Sequence, residues 1–230
     1  MKFNCRIFFL LFAITACQRN TFNENTKLNE KVFIPKGLVL DQKNDKYIEV
    51  DSFLIDKYEV SMDEYKNCIQ DKKCRDIIPI HPKFPLEKPV NGIYYDDAQK
   101  YCKFVGGRLP KYYEWKRSAV GDNRWQYPWG NDYYEGYTNF NHNVYMSNLA
   151  ENLCSKEQCP KKDISVFGVR NMAGNVGERL EKEGDDYPFM PGGILCDTAS
   201  CMEVNNKWAF PFTMPIFAVG FRCVYDEPHR

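Results

Sequence analysis

Histidine is scarce in this sequence, and net charge is absent. The three histidines, His81, His142 and His229, are scattered among loop-like stretches and the terminus, so neither a Ser-His-Asp arrangement nor a His-rich metal site is supported. Lysine plus arginine number 31, as do aspartate plus glutamate. No overall field therefore recommends nucleic acid or an anionic membrane surface as a partner. No glycine loop has phosphate-cradling spacing, and no segment repeats. Asp96-Asp97 and Asp185-Asp186 are adjacent carboxylates, which serve as helix caps or turn polarity more often than as acid/base pairs. The only long apolar run, Ile7 to Ile14, is too short to span a bilayer.

That run belongs to a secretion signal over residues 1–16: Lys2 and Arg6 give a positive start, and Thr15 and Ala16 are small residues before Cys17. Ile14-Thr15-Ala16-Cys17 resembles the lipobox of bacterial lipoproteins, in which cleavage precedes the cysteine and Cys17 receives lipid. The alternatives are an ordinary cleaved signal with Cys17 left as an odd thiol, or an uncleaved anchor. The expectation is a protein of a bacterial cell envelope, held at a membrane by lipid on Cys17 and facing the periplasm or exterior. Residues 17–30, polar and rich in Asn, read as a flexible tether. The folded domain is expected over 31–230.

Ten cysteines, less Cys5 in the signal and Cys17 at the lipid site, leave eight in an oxidising compartment. Eight allow 105 pairings. Cys68 with Cys74, Cys154 with Cys159 and Cys196 with Cys201 lie close in sequence, and Cys102 and Cys223 remain, so this pairing is the simplest. On the loop-entropy model the long Cys102–Cys223 tie contributes about 5 kcal/mol and each short one about half as much.

Residues 31–40 and 47–58 are rich in Val, Ile, Phe, Leu and Tyr and are broken by Pro35-Lys36-Gly37, as expected of strands joined by turns. Ser61 and Glu64 form a capping box that opens a helix through about Ile69. A second helix is expected from Asp96 or Asp97 to Val105, ended by Gly106-Gly107, and a third from Tyr112 to about Ala119. Four prolines between Pro79 and Pro89 make a surface loop. Residues 121–159 are Asn-, Gly- and Tyr-rich with little aliphatic content, a length of irregular chain that needs aromatics, ions or disulfides to hold it. Gly184 to Pro191 reads as a break and residues 219–225 as a closing strand. The fold class is α+β, with few short helices and strands and much irregular structure.

Phe167 to Arg179, FGVRNMAGNVGER, combines turn-permitting glycines with the hard oxygen atoms of Asn171, Asn175 and Glu178, which suit Ca2+. A self-capped turn is the plain alternative. This stretch is one of several ordered motifs: residues 56–61 (DKYEVS), Pro89-Val90-Asn91, Asp97-Ala98 with Tyr101-Cys102, Gly107-Arg108-Leu109-Pro110 with Glu114-Trp115, Pro128-Trp129-Gly130, Phe167-Gly168 with residues 171–176 (NMAGNV), and Gly220-Phe221-Arg222-Cys223. Together they resemble the formylglycine-generating enzyme family, or sulfatase-modifying factor domains, from about Phe33 to Val224. The resemblance implies a variant of the C-type lectin fold and supports the Cys102–Cys223 bond. It also implies a calcium site at Asn171, Gly174, Val176 and Glu178, with a second at Asn139 and the carbonyl of Phe140.

Catalytic members of that family resemble copper oxidases, in which two thiolates bind Cu(I) and a sulfatase cysteine is oxidised to formylglycine. Cys196 and Cys201 stand where that pair is expected; the alternative is a local disulfide. The surroundings depart from the catalytic pattern. Residues 191–195 (PGGIL) lack the usual arginine, hydroxyl and aromatic, Gly177 and Arg179 replace two pocket tryptophans, and residues 202–212 carry only Lys207 where arginines are usual. Two functions follow. One is a noncatalytic, calcium-stabilised scaffold that binds an envelope protein or glycan through aromatics such as Tyr133, Tyr134, Tyr137 and Trp208. The other is a divergent copper-dependent sulfatase activator.

Overall fold

The structure, a computed structural model, describes residues 29–77, 84–139, 149–190, 198–210 and 215–227. In chain order the elements are β1 (Lys31–Ile34), β2 (Gly37–Asp41), β3 (Lys46–Val50), β4 (Phe53–Asp56), α1 (Met62–Gln70), α2 (Tyr95–Phe104), α3 (Tyr112–Val120), α4 (Leu149–Asn152), β5 (Gly177–Arg179), β6 (Tyr187–Met190), β7 (Trp208–Phe210), β8 (Val219–Gly220) and β9 (Val224–Asp226), with a 3-10 turn at Ala199–Met202. This is the small α+β architecture of the C-type-lectin-like fold. Among the described residues, no helix is long and apolar enough to cross a membrane.

Among the described residues the strands form the sheets β1-β4-β9, the β2-β3 hairpin and β7-β6-β5-β8. The first joins the two ends of the domain, with Phe53 opposite Asp226 and Ile55 opposite Val224. The third contains a parallel pair, Gly177 with Val219 and Glu178 with Gly220. Short strands with Val, Ile and Phe on their inner faces need a cover, and α3 supplies part of it. Ile34, Val39, Phe53, Ile55, Trp115, Ala119, Leu180 and Val224 make one core. A second surrounds α1 and α2 through Tyr65, Tyr101, Cys102, Leu109 and Phe221.

The expected capping box is formed: Glu64 N donates to Ser61 Oγ at 3.2 Å and Ser61 N to Glu64 Oε2 at 2.8 Å. Helix α3 sends two cations inward. Arg117 Nε donates to the Pro35 carbonyl and Lys116 Nζ to that of Leu40, so the hairpin is fastened to the helix by main-chain oxygens that would otherwise be buried unpaired. Disulfides close at Cys68–Cys74, Cys102–Cys223 and Cys154–Cys159.

Three details differ from the sequence reading. The closing strand over 219–225 is two strands in two sheets, because the backbone at 221–223 leaves the ladder to turn the Arg222 side chain into the core. The expected break from Gly184 to Pro191 contains β6, central in its sheet. Pro188, which lacks an N–H, lies opposite Leu180 just past the end of β5, where its carbonyl accepts from Leu180 N at 3.0 Å and the missing donor costs least. At the end of the expected tether, Asn29 and Tyr58 exchange two hydrogen bonds, and Lys57 N donates to the Glu30 carbonyl.

Candidate functional site

The loop from Asn171 to Gly177 leads straight into β5, and every residue from Asn171 to Leu180 is buried. Asn171 and Asn175 both adopt left-handed backbone, at φ 56° and 65°, a conformation asparagine accepts more readily than most side chains. Two such residues four apart fold the intervening chain into a tight cradle. Gly174 faces Thr138 and Asn139 so closely that a Cβ would meet Thr138 Oγ1 and the Asn139 carbonyl.

Beyond this cradle Glu178 points from β5 to Arg222. Arg222 Nη2 donates to Oε1 at 2.6 Å, Nε to Oε2 at 2.7 Å, and Trp115 Nε1 also donates to Oε2, at 2.8 Å. The remaining guanidinium hydrogens reach the carbonyls of Asp56, Lys57, Arg170 and Asn171. Glu59 lies against the other side of the loop and accepts from Asn171 Nδ2 at 2.9 Å and Asn175 Nδ2 at 3.0 Å. The Asp163 carboxylate caps the turn by accepting from Met172 N and Ala173 N.

Asp56, Glu59, Asp163 and Glu178 are thus buried carboxylates arranged around a single buried guanidinium. Negative charge exceeds positive, and burial disfavours it. Desolvation pushes Asp56 up to about 7, Glu59 to about 7 and Asp163 to about 6, with Arg222 opposing the rise in each. The Asn171 amide, the carbonyls of Gly174 and Val176 and the Glu178 carboxylate are oxygen donors of the class Ca2+ takes, and an added cation would offset the surplus charge. Glu178 would have to be shared with Arg222. Among the described residues, no group of three or more His, Cys, Asp or Glu is placed to hold a metal, so an ion here would depend on amide and main-chain oxygens.

At the second expected calcium position, Asn139 Nδ2 donates to the Asn152 carbonyl and to Asn175 Oδ1, both at 2.9 Å. Here it acts as a clamp between loops; Phe140 lies outside the described residues. Of the thiol pair, Cys201 is free and half-buried on the 3-10 turn, with Thr198 Oγ1 at 3.8 Å from its sulfur. Cys196, residues 191–195, Cys17 and all three histidines lie outside the described residues.

Gly177 and Arg179 are both buried. The Arg179 side chain is 1% exposed, its Nη2 lies 3.4 Å from the Ile93 carbonyl, and burial lowers its pKa to about 10. It fills core space at a position where the catalytic pattern has a pocket tryptophan. Of the aromatics singled out in the sequence, Tyr134 and Trp208 are about half exposed, whereas Tyr133 and Tyr137 are partly covered. The sequence reading assigned no role to Glu59, Trp115, Asp163 or Arg222. Three of them lie in or beside motifs already singled out; Asp163 carried no signal.

The family model of the sulfatase-modifying factor enzyme 1-like domain matches residues 18–227. The mouse protein "Inactive C-alpha-formylglycine-generating enzyme 2" is 32% identical over 124 residues, which is 50% of this chain and 40% of that protein. The hercynine oxygenase of Mycobacterium tuberculosis is 35% identical over 161 residues, covering 62% of this chain and 38% of the relative. The chain thus spans about two fifths of the length of these curated relatives. The crystal structure of CarF superposes over 87% of this chain and 99% of its own, with a TM-score of 0.63 at 16% identity. The motif order, the lectin-like sheets around the Asn-Met-Ala-Gly-Asn loop and the match over almost the whole chain lead to one assignment: the chain belongs to the sulfatase-modifying factor family, that of the formylglycine-generating enzymes.

Proposed function

We propose that the protein is a noncatalytic member of its family, lipid-anchored through Cys17 in a bacterial cell envelope, where the domain serves as a calcium-stabilised scaffold for binding or assembly. The observation that carries this reading is Arg179. A guanidinium 1% exposed and packed against the Ile93 carbonyl cannot wall an open groove, and losing groove-lining groups removes the positioning on which rate depends. A relative whose name calls it inactive supports the same reading.

Ca2+, held by Asn171, Gly174, Val176 and Glu178, would supply positive charge to the surplus of buried carboxylates. With one carboxylate ligand, shared with Arg222, its affinity falls at the weak end of the range, on the order of 10⁻⁴–10⁻³ M, as in extracellular modules. The residues themselves do the rest: Asn171 and Asn175 set the loop, Glu59 holds both amides, and Arg222 orients Glu178. The test is aldehyde formation on a Cys-x-Pro-x-Arg peptide by the native full chain supplied with Cu(I) and O2. No aldehyde is expected, and its appearance would overturn the noncatalytic reading.

The free, half-buried thiol of Cys201 favours a second reading, a copper-dependent oxidase that converts a sulfatase cysteine to formylglycine. Copper would supply the oxidative chemistry and Cys196 and Cys201 the soft donors. Stoichiometric Cu(I) uptake abolished by Cys201→Ser, together with aldehyde formation, is its signature.

A further inference from the structure

Residues 121–139 contain no Leu, Ile, Val, Met, Ala or Phe, yet five of their aromatic rings form a connected group. Tyr127 and Trp129 stack with centroids 5.3 Å apart and planes 6° from parallel. Tyr133 joins Tyr127 at 6.0 Å, Trp129 meets Tyr137 edge-on at 5.5 Å, and Tyr137 lies 4.9 Å from Tyr134. The inner end is anchored: Tyr127 packs on Ala173 of the Asn-Met-Ala-Gly-Asn loop and on Met202 of the 3-10 turn. The outer end is open, with Tyr134 48% exposed. Trp129 is fixed in orientation because its Nε1 donates to the Asp132 carbonyl at 3.0 Å. Asn131, Asp132 and Glu135 stand exposed alongside.

We propose that this row of rings is a docking shelf for a neutral saccharide chain. A pyranose ring presents a flat face of C–H groups and a rim of hydroxyls. The exposed Tyr134 ring and the partly exposed Trp129, Tyr133 and Tyr137 rings, backed by the buried Tyr127, complement the first, and tyrosine hydroxyls, Asn131, Asp132 and Glu135 complement the second, since between them they can donate and accept. The chemistry of the stretch argues against other occupants. Protein interfaces set methionine and arginine beside their aromatic anchors. This stretch has no methionine, and its arginine, Arg124, is engaged with the Tyr47 hydroxyl at 2.9 Å. Single-stranded nucleic acid also stacks on aromatic rings but needs a basic groove beside them. Here the exposed Asp132 and Glu135 flank the rings, with the Lys162 ammonium 5.9 Å from the Tyr137 centroid; two carboxylates beside one ammonium make no basic groove, which disfavours polyanions and, by the same charge, acidic saccharides.

The proposal rests on the noncatalytic binding reading and names its partner class. Because Tyr127 sits on Ala173, the shelf stands on the proposed calcium loop; disturbing that loop loosens the shelf without removing any group that touches the sugar.

The experiment titrates the full chain in detergent with chitohexaose, with cellohexaose and with polygalacturonate, reading intrinsic tryptophan fluorescence and calorimetry. Binding of at least one neutral oligosaccharide and none of polygalacturonate is expected. Tyr134→Ala, at a half-exposed position that leaves the melting temperature unchanged, should weaken binding tenfold or more. The proposal is overturned if neither neutral oligosaccharide binds, if Tyr134→Ala and Tyr137→Ala bind as tightly as the native chain, or if sedimentation shows that self-association covers Tyr134. Absence of sugar binding with no aldehyde formed on the Cys-x-Pro-x-Arg peptide removes the shelf and leaves the noncatalytic reading standing. Aldehyde formation removes that reading whatever the sugars do.

Discussion

Arg222 and Glu178 meet in a two-pronged ion pair, at 2.6 and 2.7 Å, with side chains 0% and 2% exposed. Both charges have left water, so each depends on the other for compensation. Arg222→Met or Glu178→Gln alone strands the partner and should cost about 3–5 kcal/mol. The double substitution should recover part of that loss. Urea midpoints of the three variants check this, and single variants as stable as the native chain would show that the pair is dispensable.

Calcium removal provides the second prediction. Excess chelator added to the native chain should lower the melting temperature by several degrees, and Ca2+ at millimolar concentration, but not Mg2+, should restore it. Asn171→Ala should abolish the calcium-dependent part. An unchanged melting curve would remove calcium from the reading while leaving the Arg222–Glu178 pair intact.

The third concerns pH. Burial raises Asp56 from its ordinary 3.8 to about 7, against the donation it accepts from Cys223 N and Tyr225 Oη. Between those values the folded chain keeps a proton that the unfolded chain has released. Stability from this group is therefore full below about pH 4 and is lost as pH rises through about 7. The stability of the native chain relative to Asp56→Asn should fall from pH 5 to pH 8. A relative stability that rises over this interval would contradict the assignment.

Close approach supplies the fourth. Gly174→Ala puts a methyl group against Thr138 Oγ1 and the Asn139 carbonyl, neither of which is the end of a long flexible chain. A cost of about 1–3 kcal/mol is expected, visible in thermal melting and accompanied by weaker Ca2+ rescue. Tolerance of alanine would mean that the cradle is looser than its contacts indicate.

The sequence made the helices legible because their signals are local. The Ser61–Glu64 box, the apolar faces and the Gly106-Gly107 stop each act within a turn or two. It misled at residues 219–225, where a continuous apolar-looking run hides Arg222, whose partner is 44 positions away. The Glu59–Asn171–Asn175 contact spans more than a hundred residues, and no local pattern announces it. The family resemblance located the loop and its expected ligands but not the arginine that competes for one of them. Arg179 was legible only as a departure; that the residue would be buried depends on strand β5 packing inward on both faces.

The pairing of β4 with β9 sets residue 53 beside residue 226, and the Cys102–Cys223 bond adds a second long closure. The middle strand of the first sheet therefore gains its second neighbour only after nearly the whole domain is available. Contacts so distant along the chain make for slow folding. During synthesis the first sheet must stay incomplete until residues 224–226 are available. A product cut before Val224 would be left with an uncovered strand edge at Phe53–Ile55, a ready template for aggregation.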